Sequence, residues 1–160
     1  MKKALSAALL VLALAACDAV QRQEIAPGAS KETVKSMMGE PDTIWKEADG
    51  REFWDYPRGP GGAETIRMTI GSDGVMKDQL NILTEANFSQ IQVGMNKEQV
   101  RRILGRPGAQ KQFGNDRSGL TWEWKYNQSR SAQHMFTVDF DGNGVVKGKG
   151  SYDPAMTKPQ

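Results

Sequence analysis

Gly28-Ala-Ser-Lys31-Glu32-Thr-Val34-Lys-Ser-Met-Met-Gly39-Glu-Pro41 and Gly94-Met-Asn-Lys97-Glu98-Gln-Val100-Arg-Arg-Ile-Leu-Gly105-Arg-Pro107 are two copies of one pattern, G-x-x-K-E-x-V-x-x-x-x-G-x-P, without a gap. Six of the fourteen positions are identical, and Ile25 and Ile91 match three residues upstream. An internal repeat of this kind sets the architecture before any other reading. Each copy spells a short helix. Ser30 or Asn96 is the N-cap, and Glu32 or Glu98 sits in the first turn, where the helix dipole favours a carboxylate. Asn96 and Gln99 have capping-box spacing, and Met95 can staple onto Val100. Val34, Met37 and Met38, like Val100, Ile103 and Leu104, form an i, i+3, i+4 apolar stripe. Gly39 or Gly105 supplies a left-handed stop, and the proline two residues on blocks continuation. A helix of about eight residues is unstable alone, so the stripe must be buried on the sheet that follows.

The strand signals come in the same order after each helix. Thr43 to Lys46, a turn at Ala48-Asp49-Gly50, Arg51 to Tyr56, a loop from Pro57 to Ala63, Glu64 to Ile70 and, after Gly71 to Gly74, Val75 to Asp78 make up the first set. In the second, Trp122, Trp124 and Tyr126 share a face, Phe136, Val138 and Phe140 alternate with Thr137 and Asp139, and Asp141 to Gly144 turns into Val145 to Lys147. Aligning Trp54-x-Tyr56 with Trp124-x-Tyr126 gives an offset of 70 against 66 for the helices, which places four extra residues around Gly114 to Gly119. Thr84 to Gln90 reads as a helical joint that carries Phe88 and Ile91 into the second unit. The expected class is α+β: two tandem repeats, each with short helices followed by a three- to four-stranded antiparallel sheet, packed as one body with the helices on one face. Neither repeat alone has much core to spare.

Residues 1–16 read as a lipoprotein signal peptide. Met1-Lys2-Lys3 is basic, Ala4 to Leu14 is apolar but too short to span a bilayer, and Leu14-Ala15-Ala16-Cys17 is a lipobox with Cys17 as the lipidated mature N-terminus. Acyl chains at ~0.8 kcal/mol per buried methylene would make such an anchor permanent. Residues 17–24 are a tether: the seven residues between Cys17 and Ile25 reach roughly 25 Å at ~3.6 Å per residue, so the domain stays near its membrane. Residues 25–80 and 81–150 are the two repeats and 151–160 a frayed tail. Processing removes Lys2 and Lys3 from 21 basic residues, leaving 19 against 19 Asp and Glu. The mature chain is neutral, which takes away the electrostatic motive for nucleic-acid binding. Cys17 is the one cysteine, so disulfides and Cys-based sites are excluded.

No cofactor, metal site or catalytic constellation emerges. Asp139-x-Asp141-x-Asn143-Gly144 copies the start of an EF-hand loop, but its twelfth position is Gly150 and its flanks are strands, so it reads as a turn. His134 is the only histidine and no free thiol accompanies it, which rules out the usual zinc sites and Cys-His catalysis, and it reads as a strand-edge residue. No carboxylate pair stands out, and Pro57 to Ala63 lacks the ending of a phosphate loop. The spacing of Trp54, Tyr56, Trp122, Trp124 and Tyr126 favours core over a partner surface. The candidate partner-binding surface is the open sheet face with the loops bearing Arg58, Arg117 and Arg130.

The stretch Ile91 to Pro107, followed by Trp124-x-Tyr126 and the Phe140-Asp-Gly-Asn-Gly144-Val145 hairpin, resembles the SmpA/OmlA (BamE-like) lipoprotein family over about residues 84 to 148. The first repeat is a more diverged copy, with Ala29 where the motif prefers Met. The tandem arrangement is also similar to the β-lactamase inhibitory proteins. The family resemblance implies a non-enzymatic, lipid-anchored periplasmic accessory or scaffold of the outer-membrane β-barrel assembly machinery. It would bind that machinery's proteins and anionic phospholipid. The second resemblance implies, as the alternative, a periplasmic inhibitor of a hydrolase such as a β-lactamase. Outer-membrane placement follows from the family; Asp18, directly after the cysteine, reads in enteric bacteria as inner-membrane retention.

Overall fold

The structure is a computed structural model, and it describes residues 25–59, 62–113, 119–127 and 133–156. The chain runs α1 (Lys31–Met38), β1 (Thr43–Lys46), β2 (Glu52–Arg58), β3 (Glu64–Ile70), β4 (Met76–Asn81), α2 (Glu85–Gln90), α3 (Lys97–Leu104), β5 (Ala109–Phe113), β6 (Gly119–Asn127), β7 (Gln133–Phe140) and β8 (Val146–Tyr152). Its strands form two four-stranded antiparallel meanders, β1-β2-β3-β4 and β5-β6-β7-β8.

The motif helices start and stop where the sequence places them. Ser30 Oγ accepts from Thr33 N, and Asn96 and Gln99 close a reciprocal capping box. Gly39 and Gly105 end them, at φ 79°, ψ −169° and φ 71°, ψ −165°. That region is not the left-handed helical well, yet it is just as closed to a residue with a Cβ. Two further motif positions acquire a reason. Gly28 N and Gly94 N donate to the carbonyls of Met76 and Val146, which straps each helix entry to the last strand of its own sheet. Lys31 and Lys97 lie over the hairpin glycines Gly74 and Gly144, which leaves no comfortable room for a Cβ at Gly144.

Each repeat has its own core. Val34 packs with Trp54, Tyr56, Met68, Ile70 and Met76 in the first. Val100 and Leu104 pack with Trp122, Trp124, Phe136, Val138 and Phe140 in the second, joined by Phe88 and Ile91 from the joint. Phe88 stacks on Phe136 with ring centroids 4.2 Å apart, and Lys149 Nζ donates to Phe88 O and Ser89 O at the end of α2. The five aromatic residues read as core are buried.

Several expectations need correction. Met37 is 41% exposed, unlike its counterpart Ile103, which packs against the second core. The expected Pro57 to Ala63 loop is strand as far as Arg58, with Pro57 opposite Thr65. β8 runs on to Tyr152, so Ser151 and Tyr152 belong to the sheet and not to a frayed tail. Ladder register also changes the alignment of the repeats. Asp55 faces Thr43 and Arg67, whereas Glu123 faces Ala109 and Thr137. Asp55 therefore corresponds to Glu123, and Trp54 and Tyr56 to Trp122 and Trp124, not to Trp124 and Tyr126. The four extra residues split two and two, before and after β6. A shift of two keeps every side chain on its face, so alternation in the sequence cannot detect it.

The helices are not all on one outer side. The first sheet has α1 on one face and the C-terminal end of α3 on the other.

Candidate functional site

The outward face of β1–β3 is organised by one buried carboxylate. Asp55 is fully buried and accepts Trp45 Nε1 at 3.0 Å and a bidentate pair from Arg67, Nε at 2.7 Å and Nη2 at 2.8 Å. The remaining Arg67 nitrogen, Nη1, donates at 2.7 Å to the carbonyl of Arg102 in the last turn of α3. A helix end leaves such carbonyls without internal partners and carries negative partial charge, so a cation fixed there is doubly matched. Around this point Arg102 pairs with Glu47 and lies over the Trp45 ring, Arg101 reaches Thr43, and Arg106 pairs with Asp42 at 3.1 Å. Gly105 is buried against the sheet, and a Cβ there would meet Thr65 at 3.2 Å, Ile82 at 3.5 Å and Asp55 at 3.6 Å. The first sheet's outer face is thus occupied by a helix end with a glycine at its tip.

The corresponding face of β5–β8 has no such cover among the described residues. Glu123, the counterpart of Asp55, is again buried, and here Lys111 takes the role of the cation at 2.8 Å while Tyr152 Oη donates at 3.4 Å. The Glu123 carboxylate beside the Lys111 ammonium pushes that lysine's pKa up. Lys111 remains half exposed, with hydrogens free for a further acceptor. A groove of about 500 Å³ opens over this pair, bordered by Ala109, Lys125, Met135 and Tyr152. The Lys111 ammonium in it can donate to a backbone carbonyl or a carboxylate.

Of the arginines expected at a partner surface, Arg58 ends β2 in an exposed position and donates from Nη2 to Met38 Sδ at 3.0 Å. That ties it to α1, away from the open face. Arg117, Arg130 and Cys17 lie outside the described residues. Lys111, Glu123 and Tyr152 are the residues that sequence reasoning missed. Their signal was a carboxylate in the middle of an aromatic strand, at Glu123, matched by Asp55 once the register is known.

Among the described residues no group of three or more His, Cys, Asp or Glu side chains converges as a metal site. Asp141 Oδ1 accepts from Asn143 N and Val145 N, both at 2.9 Å, so this carboxylate shapes its own turn. His134 sits on β7 beside the Tyr126 ring, whose phenol donates to Glu85 at 2.9 Å. Among the described residues no helix is long and apolar enough to cross a membrane.

Residues 81–150 match the family model described as "Outer membrane protein assembly factor BamE domain". A protein named outer membrane protein assembly factor BamE from Polynucleobacter necessarius subsp. necessarius is 35% identical over 77 residues, 48% of this chain and 34% of that protein. Another of that name from Xanthomonas campestris pv. campestris is 33% identical over 79 residues, 49% of this chain and 60% of the relative. The chain thus spans less than two thirds of the length of either. A solved structure described as a putative osmotically inducible lipoprotein, OsmE, is 27% identical, covers 46% of this chain and 75% of its own, and has a TM-score of 0.38. The matched residues 81–150 cover the second repeat from α2 into β8, so it is this repeat that is similar to the BamE domain.

Proposed function

We propose that the chain is a lipid-anchored periplasmic accessory of the outer-membrane β-barrel assembly machinery, acting by binding proteins and not by catalysis. The observation that carries this reading is the match of residues 81–150 to the BamE domain model, in a chain whose relatives are named as assembly factors of the outer membrane. The geometry supports binding over chemistry: Lys111, Glu123 and Tyr152 on the open face are joined to one another, and the face has the character of a docking surface. Cys17 is the proposed attachment point for the lipid, which fixes the chain at the periplasmic side of its membrane. Anionic phospholipid beside the anchor is a proposed second contact. The hydrolase-inhibitor reading has no finding in its favour and is set aside.

Membrane fractionation tests the placement. The full chain is expected in the outer-membrane fraction, and Cys17→Ala in the soluble periplasm. Recovery in the inner-membrane fraction would mean that Asp18 acts as a retention signal and would separate the chain from barrel assembly. Loss of the chain is expected to lower the yield of folded β-barrel proteins in the outer membrane; an unchanged yield with an intact barrier would count against the role.

A further inference from the structure

Among the described residues the two repeats leave two surfaces uncovered that are counterparts of the two surfaces already joined inside the chain. Where α3 ends, Gly105 and Pro107 are buried against the first sheet; where α1 ends, Gly39 is exposed and Pro41 only partly covered. Met37 is the exposed apolar residue at that end. The receiving side is matched in the same way. Thr65, Ile82 and Asp55 surround Gly105, and by ladder register their counterparts are Met135, Tyr152 and Glu123, which line the open groove.

We propose that this groove receives the C-terminal end of α1 from a second copy of the chain, with Gly39 in the position that Gly105 occupies on the first sheet.

Charge is exchanged in the way such a contact requires. Inside the chain Arg106 pairs with Asp42 and shares a cleft with Pro57. In the contact between copies Arg106 is replaced by Glu40, Asp42 by Gly108 and Pro57 by Lys125, so Glu40, which is exposed and pairs with Lys35 of its own chain at 2.8 Å, gains Lys125 as a second cation where the chain itself has Arg106–Asp42. Lys111 stands where Trp45 stands and already holds the buried carboxylate, leaving it free to donate to the carbonyls at the end of the incoming α1, as Arg67 does to Arg102. The end of α3 carries Arg101, Arg102 and Arg106, which would meet Lys111 and Lys125 unfavourably. Such a contact joins two different surfaces, so it does not close on itself and propagates head to tail. Chains held on one membrane would line up in short rows.

The inference rests on reading the second sheet's outer face as a docking surface and does not depend on which machinery the chain serves. It is tested on the full chain with its lipid, in detergent. Ser36 is the counterpart of Arg102, which lies over Trp45; Ser36 of one copy should therefore lie near Lys111 of the next. Chains carrying Ser36→Cys are mixed with chains carrying Lys111→Cys and oxidised, the unsubstituted chain being the blank for Cys17. The expected product is a mixed disulfide, with little homodimer of either variant. In sedimentation, Lys125→Glu should weaken self-association about tenfold, and adding Glu40→Lys should restore it. Both positions are exposed or partly so, and the melting temperature of each variant confirms folding. Three results would overturn the proposal: no mixed disulfide, Ser36→Cys homodimers as abundant as the mixed product, or Lys111→Cys joined only to a different protein. Assembly-machinery proteins recovered with the chain while no mixed disulfide forms would leave the proposed function standing and remove this contact.

Discussion

Gly105 and Gly39 occupy the same motif position in nearly the same backbone conformation, and their surroundings predict different costs. Gly105→Ala adds a Cβ in a region reserved for glycine and presses it to 3.2 Å from Thr65 and towards the buried Asp55. A loss of about 1–3 kcal/mol from the backbone alone is expected, with more from the contact. Gly39→Ala has nothing within 4 Å and should show only the backbone share. Denaturant unfolding of the two variants measures the difference. Equal losses would mean that α3 does not press on the first sheet. Arg67→Ala should be worse, by about 3–5 kcal/mol, because it leaves the Asp55 carboxylate buried without its cation. At Tyr56, burial and the nearby Glu40 carboxylate push the phenol pKa up to about 12. An unfolded chain ionises near 10. Stability is therefore full below pH 10 and falls as pH rises towards 12. Tyr56→Phe should make that alkaline loss shallower.

At the scale of elements, α3 serves two masters: Val100 and Leu104 face its own sheet and Arg101, Arg102 and Gly105 face the other. Val100→Asp should unfold the second repeat, since an unpaired charge would enter a site that is fully buried. Loss of its near-ultraviolet aromatic signal is the readout. Asn96→Ala, which removes half of a capping box, should cost about 1 kcal/mol. Much of this was legible in the sequence. Cap residues, stop glycines and alternating strands are local signals, and they placed α1, α3, β1 and β3 to the residue. Three things were not legible. The offset of β2 against β6 was hidden because a slip of two preserves alternation. Alternation along β3 places Arg67 on the face opposite Met68 and Ile70 and says nothing more of it; only the approach of α3 makes it a bridge. The groove could not be seen because Lys111 and Glu123 come from different strands and Tyr152 lay in a stretch read as tail.

For the molecule as a whole, the repeat that matches the BamE domain model follows a diverged copy of itself. The first sheet buries the end of α3 and so stabilises the domain that follows it, while the second sheet repeats the receiving face and leaves it bare. The two repeats should unfold in a single transition, because Arg67, Asp55 and the end of α3 tie them through buried polar contacts. Arg67→Ala should split that transition in calorimetry. The central claim is that this body works by holding assembly-machinery proteins at the membrane. The most direct measurement is to crosslink intact membranes, isolate the full chain and identify what is attached. The account predicts β-barrel assembly proteins, recovered in much smaller amount from Cys17→Ala cells. A chain that carries none of them, with its lipid in place, would contradict it.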